Sequence, residues 1–224
     1  MPMEQRYLDL LQDGARQLGI TLQEDEIRRL SIYLETLLFW SPRIDLVSQH
    51  DPAEIIRKHF LDSLAVVRLL PAASAILDLG SGAGFPGIPL AFMQPQIAVA
   101  LVETRRKRIS FLREVNRKTG AQNLTIHEGR AEELAIREEL HAAFDVVITR
   151  ATWSVPTFLR QAAPFLRDQG LAMAMQGPHT ESGSLQTFPL GPGEFFQPTS
   201  WHEYTLPFGS ERRLLLGFTK QGAS

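Results

Sequence analysis

The chain has 224 residues, 44% of them apolar and 21% charged, and it contains no cysteine. That size and balance suit one globular domain, or a domain with a modest extension. The missing thiol excludes disulfides, thiolate zinc sites, iron–sulfur clusters and a cysteine nucleophile. A net charge of −2 argues against indiscriminate polyanion binding, so a nucleic-acid partner needs a local basic patch.

The N-terminal MPMEQRYLDLLQDG lacks the apolar core of a signal peptide, and no uncharged apolar run is long enough to span a bilayer. The default expectation is a soluble cytoplasmic protein with no membrane partner.

The first third reads as helical. Leu8, Leu11, Ala15 and Leu18 recur at helical spacing, and Gly19 is a plausible stop. Ile27, Leu30, Leu34 and Leu37 form a second stripe that ends before Pro42. A third helix is expected from Asp51-Pro52, with Asp51 as cap and proline in the first turn, running through Ile56, Phe60, Leu64 and Val67. Residues 1–71 are therefore expected to form an N-terminal helical extension, and 72–224 the main domain.

After Pro71 short β-like runs alternate with helical ones. The runs Ala75–Leu79, Ala98–Glu103, Leu124–His127, Phe144–Thr149 and Leu171–Met175 are expected strands. Arg105–Thr119, Ala131–Leu140 and Trp153–Leu166 are expected helices. Parallel strands need crossover connections, so this alternation predicts an α/β, doubly wound sheet. Phe195–Leu206 and Arg212–Thr219 then read as a closing antiparallel hairpin, and Gln176–Pro192 as a loop rich in Gly, Pro, Ser and Thr.

Asp78-Leu79-Gly80-Ser81-Gly82-Ala83-Gly84-Phe85-Pro86-Gly87 follows the first strand and opens onto a helical segment. Glycines there permit a tight turn and close approach of a ligand, and helix N-terminal N–H groups favour polar ligand atoms. Glu103 ends the next strand, where an acid can accept hydrogen bonds from both ribose hydroxyls. A dinucleotide and S-adenosylmethionine both fit this pattern. Asp78 favours the second, because an acid there meets a cationic amino group well and a pyrophosphate badly.

On the substrate side, Thr149-Arg150-Ala151-Thr152 ends the fourth strand, so Arg150 points at the cleft. Its guanidinium suits a phosphate or a base acceptor edge, or an ion pair with Asp78 or Asp145. His59 and Asp62 lie three apart and share a helix face, which fits either a solvated or satisfied pair or a cleft-facing one. Arg106, Arg113 and Arg117 form a stripe that reads as a solvated face or a guide for an RNA backbone. An Asn/Asp-Pro-Pro-aromatic run after strand four, usual for exocyclic-amine methylation, is absent. A guanine N7 presents an in-plane lone pair and needs no general base, so positioning and electrostatics suffice there.

These runs resemble the RsmG family, also called glucose-inhibited division protein B, of bacterial 16S rRNA guanine-N7 methyltransferases. The resemblance rests on ILDLGSGAGFPGIPLAF, RKHFLDSL, LVETRRKRISFLREV, GRAEEL and ITRA, in order along roughly positions 30 to 220. It implies a class I S-adenosylmethionine-dependent methyltransferase of Rossmann-like architecture, with five parallel strands, a C-terminal antiparallel hairpin and an N-terminal helical extension. The implied reaction is methyl transfer to N7 of one guanine in the decoding-region loop of small-subunit rRNA. The implied partner is 16S rRNA, the small ribosomal subunit or its precursor, and a monomer is expected. Asp78, Gly80, Gly82, Gly84, Phe85, Glu103, Ala131, Glu132 and Arg150 are implied cofactor-binding residues, with Ala131 and Glu132 near the adenine. Arg150, His59 and Asp62 are implied catalytic residues of the cleft, and no metal is implied. The chain departs from the family at Asp45-Leu46-Val47, where Asn-Leu-Thr is common. It departs again at Gln176-Gly177, where Lys-Gly is common.

Overall fold

The computed structural model describes residues 4–150, 153–177 and 186–222. Two amphipathic helices open the chain, α1 (Gln5–Gln17) and α2 (Glu24–Trp40). Gly19 follows α1 with a φ of 72°, the left-handed conformation that ends helices. The third helical region is one continuous rod of three parts: α3 (Pro52–Ile55), a π-helical turn (Ile56–Phe60) and α4 (Leu61–Val67). Asp51 caps it, its Oδ1 accepting from the Ala53 N–H at 3.2 Å, with Pro52 in the first turn.

The sheet then alternates with helices: β1 (Ala75–Leu79), α5 (Gly87–Met93), β2 (Ala98–Glu103), α6 (Arg106–Thr119), β3 (Leu124–Glu128), α7 (Ala131–Leu134), β4 (Phe144–Arg150), α8 (Val155–Ala162) and β5 (Leu166–Gln176). Three more strands follow: β6 (Phe188–Gly191), β7 (Glu194–Thr205) and β8 (Arg212–Gln221). The described strands form one sheet in the order β3-β2-β1-β4-β5-β8-β7-β6. The first five pair in parallel, and β8, β7 and β6 run antiparallel to their neighbours.

Both faces of the sheet are covered, as a parallel sheet requires. On one face Ile76, Leu101, Ile148 and Met173 pack with Leu30, Tyr33, Phe60 and Phe111 from the helices. On the other, Leu77, Val102, Val147 and Ala174 pack with Leu134, Phe158, Phe165 and Phe218. The N-terminal helices thus share a core with the sheet.

Three expectations need correction. The helix expected over Ala131–Leu140 stops at Leu134. Two residues further on, Ile136 is 86% exposed, so no continuous stripe exists to bury a longer helix. The helix expected over Trp153–Leu166 spans only Val155–Ala162, and Leu166 already pairs with Phe144 as strand. The stretch expected as a loop over Gln176–Pro192 contributes the edge strand β6, so the closing unit has three strands instead of two. Pro189 is tolerated there because a terminal strand lacks a partner on one side. Residues 178–185 of that stretch lie outside the described residues, as do Ala151 and Thr152.

Candidate active site

The sheet places two acids at the carboxyl ends of β1 and β2, with the glycine loop between them. Gly80, Gly82 and Gly84 all have positive φ, at 75°, 59° and 96°. The loop is pinned to β2, since the N–H groups of Gly80 and Ser81 both donate to the Val102 carbonyl, at 3.0 and 2.9 Å. Gly84 has a second reason to be glycine: a Cβ there lies 2.4 Å from Ile88 Cδ1. The loop's outer side is braced by Tyr33, which is fully buried and donates its hydroxyl proton to the Ala83 carbonyl at 2.6 Å.

Asp78 is 1% exposed. Its Oδ2 accepts from the Gly87 N–H at 2.9 Å, whereas Oδ1 is buried with no partner. Burial pushes its pKa up to about 7, against the opposing pull of the Gly87 N–H and the Arg150 charge. A buried carboxylate oxygen without a donor is costly. A cationic amino group supplies that donor, so the residue fits the amino-acid end of S-adenosylmethionine.

Glu103 is also buried. Its Oε1 accepts from the backbone N–H groups of Thr104 and Arg105 at 2.7 and 2.8 Å, and Oε2 from Gly82 at 2.9 Å. Arg108 stands 3.8 Å from Oε2 and donates at 3.0 Å to the Asp45 carbonyl. Glu103 lines a cavity of about 360 Å³ with Gly80, Val102, Thr104, Arg105, Arg108, Gly129, Ala131 and Trp153. That volume lies in the range of small-molecule sites. Ala131 therefore joins Glu103 and Gly80 at this cavity. Glu132 does not line the cavity: its exposed carboxylate accepts from Gln161 at 2.7 Å.

Arg150 ends β4 on the same face of the sheet as Asp78, alternating in step with Val146 and Ile148, and it sits in a nest of partners. One terminal nitrogen lies 2.7 Å from His59 Nδ1. The other lies 3.4 Å from Asp62 Oδ2 and 3.3 Å from the Lys58 carbonyl. The guanidinium also stands over the Phe85 ring at 5.1 Å, and His59 stacks on the same ring at 5.2 Å. Arg150 pairs with Asp62 and with neither Asp78 nor Asp145, the two acids its sequence context suggested. Asp145 instead pairs with Arg167 at 2.5 Å.

Arginine only donates, so His59 Nδ1 accepts and the ring proton belongs on Nε2, which then donates to Gln49 Oε1 at 2.6 Å. Burial and the charges of Arg150, Arg213 and Lys58 lower the His59 pKa to about 2. The imidazole is neutral and both its nitrogens are committed. Its place is to orient Arg150, and the geometry does not offer it as a proton acceptor for a substrate. Asp62, 3% exposed, likewise orients Arg150, and it also accepts from the Tyr204 hydroxyl at 2.8 Å and faces Arg213 at 3.8 Å. Gln49, Tyr204 and Arg213 were not singled out from the sequence. They come from a loop and two hairpin strands, and no spacing links them to the helix they meet.

The arginine stripe of α6 meets acids: Arg106 and Arg113 each lie 3.6 Å from Glu128, and Arg117 lies 2.9 Å from Glu114. All three are exposed, so these pairs are weak. Of the two family departures, Asp45 offers its carbonyl to Arg108 while Leu46 and Val47 are buried, and Gln176 closes β5.

The sheet order, the antiparallel β8 lodged between β5 and β7, and two acids flanking a glycine loop define the class I methyltransferase fold. Solved structures share it: M. jannaschii TYW2 in complex with AdoMet aligns with a TM-score of 0.58 over 81% of this chain and 80% of that one, at 14% identity. A predicted O-methyltransferase from Agrobacterium tumefaciens aligns with a TM-score of 0.52 over 69% and 79%, at 17% identity. The family model for GidB, rRNA small subunit methyltransferase G, matches residues 26–187. Ribosomal RNA small subunit methyltransferase G of Geobacter metallireducens is 34% identical over 99% of this chain and all of its own length. The Myxococcus xanthus protein of the same name is 34% identical over 96% and 98%. The chain belongs to the rRNA small subunit methyltransferase G family.

Proposed function

We infer that this protein transfers a methyl group from S-adenosylmethionine to N7 of one guanine in the decoding-region loop of 16S rRNA. When bound, S-adenosylmethionine supplies an electrophilic methyl group carried on a sulfonium sulfur. Family membership supports the rRNA methyltransferase activity. One structural observation carries the choice of acceptor atom: the cleft presents a fixed cation, Arg150, beside a histidine with neither nitrogen free. Methylation of an exocyclic amine or a hydroxyl sheds a proton, and a positioned base assists it. Guanine N7 has a free lone pair and sheds no proton, so orientation alone suffices.

Within this reading Asp78 holds the amino group of the cofactor, and Glu103 reads its ribose from the cavity it lines. Ala131 borders that cavity. The glycine loop keeps the backbone low enough for close approach. Arg150, held in place by His59 and Asp62, binds a phosphate of the target nucleotide and leaves N7 unpaired. The working partner is the small ribosomal subunit or its precursor, and the working unit is one chain.

The test uses small subunits and naked rRNA from cells lacking this activity, incubated with purified protein and labelled S-adenosylmethionine. N7-methylguanine is mapped by borohydride and aniline strand scission. One new cleavage in the decoding-region loop is the expected result. Transfer to a different base or atom refutes the acceptor assignment, and no transfer to any form of the RNA refutes the activity.

A further inference from the structure

A second cavity, of about 550 Å³, opens between α8, the end of β5, β6 and β8. It is lined by Leu159 and Phe218, both buried, by Gln176 and Phe188, half-buried, and by Pro156 and Pro189. Consecutive residues border the two cavities, Trp153 the first and Ser154 the second. Both lie at the carboxyl ends of the parallel strands, where α/β sheets bind their ligands.

One polar group in this apolar setting lacks a partner. Gln176 Nε2 is buried and makes no hydrogen bond. A primary amide carries a donor and an acceptor side by side, and an orphaned end is destabilising unless something binds it. Phe188 adds a flat aromatic face, with the Arg160 guanidinium 4.8 Å from its ring centre on α8. An aromatic or proline-lined slot with one amide at its side matches a nucleobase taken out of its stack. Such bases are recognised by stacking on aromatic side chains and by hydrogen bonds to one edge.

We propose that this cavity receives the acceptor guanine, its base against Phe188 and its Watson–Crick edge on the Gln176 amide. The amide N–H₂ donates to guanine O6, and the amide oxygen accepts from N1–H. That grip leaves the neighbouring edge, which carries N7, free to face the cofactor cavity. This deepens the methyl-transfer reading by naming where the acceptor base sits, and it depends on that reading for the identity of the base.

The experiment has two arms. In the first, guanosine monophosphate is titrated into the full chain and followed by NMR, with the Gln176 side-chain amide assigned by its loss in Gln176→Leu. A shifted Gln176 amide supports the pocket. A silent one, with shifts confined to the Gly80–Glu103 region or absent, overturns it. In the second, Gln176→Leu is assayed on small subunits that lack the modification. Losing two hydrogen bonds to the base predicts a fall in kcat/KM of tenfold or more, with S-adenosylmethionine affinity unchanged by calorimetry. The same substitution removes the orphaned amide, so Tm is expected to rise by about 2–4 °C. A loss of activity accompanied by a lower Tm, or an unchanged kcat/KM, overturns the assignment. If the unaltered protein transfers no methyl group, the activity reading fails, while the titration still decides whether the cavity takes the base.

Discussion

Asp78 makes the strongest quantitative commitment. Its carboxyl is held up at about 7, and binding a cationic amino group requires it to be ionised. At pH 7 about half the molecules carry the charge and two pH units lower only about one in a hundred, so affinity for S-adenosylmethionine is expected to fall by up to about 50-fold between pH 7 and pH 5. That corresponds to roughly 2 kcal/mol. Because the bound carboxylate must shed its proton, titration calorimetry in buffers of differing ionisation enthalpy should detect proton release approaching one per cofactor near pH 6.

The unliganded protein carries the opposite signature. Its folded-state pKa lies above the ordinary 3.8, so from about pH 4 to 7 the folded chain holds a proton that the unfolded chain has lost. Stability therefore falls as pH rises through that window, by an amount on the order of 4 kcal/mol when complete. Asp78→Asn should be the more stable protein at pH 8, similar to the unaltered one at pH 4, and indifferent to pH in its residual cofactor binding. Affinity that is flat from pH 5.5 to 7.5 in the unaltered protein, with no proton release, refutes the reasoning.

Four further outcomes are expected. Glu103→Ala leaves the N–H groups of Gly82, Thr104 and Arg105 without their acceptor, so calorimetry should show cofactor affinity reduced more than tenfold; unchanged affinity sinks its role. Arg150→Ala should keep cofactor affinity within a few-fold but lower turnover at saturating RNA by about 100-fold or more, and equal turnover counts against it. Tyr204→Phe removes one hydrogen bond to a buried carboxylate, worth about 1.5–3 kcal/mol, and should lower Tm by roughly 3–10 °C in thermal unfolding. Gly84→Ala forces a positive φ on alanine and drives its Cβ into Ile88, so a loss of about 2–4 kcal/mol should appear in denaturant titrations.

The parallel half of the fold was legible because its strands are continuous apolar runs separated by amphipathic stretches, and β1 and β2 fall on the expected residues. Local chemistry also marked the Asp51 cap and the stop at Gly19. The sequence was misleading where propensity outran burial. The run Ala131–Leu140 consists of good helix formers, but its exposed Ile136 leaves a longer helix nothing to pack against. It was silent where geometry depends on distant partners. Tyr204 and Asp62 are 142 positions apart, and nothing local distinguishes Tyr204 from any other hairpin residue. Tyr33 is an intermediate case: it lies on the buried stripe of α2, and a buried tyrosine hydroxyl demands an acceptor, though only the fold reveals that it is Ala83. In the site, the structure brings Gly80, Glu103 and Ala131 to one cavity and sets Arg150 at the end of β4. The division of labour around Arg150 needed coordinates, since a histidine's free nitrogens cannot be counted from its neighbours in sequence.

The π-helical turn at Ile56–Phe60 stores one residue inside the third helical rod without disturbing the faces on either side of it. A π turn holds one residue more than an α turn, so the five residues there carry a built-in surplus. Losing a single codon within it would leave a regular, well-bonded α-helix. Because the wide turn spreads that surplus over its own winding, everything beyond the deletion would keep its facing relative to what precedes it. The Leu61 side and the Ile56 side could both keep their present faces, so Asp62 would still reach Arg150, while the ring of His59, which lies inside the turn, would lose its seat. The surplus residue is thus what lets one stretch of rod present both His59 and Asp62 to the same guanidinium, and its loss should spare helix content while costing the His59 contact.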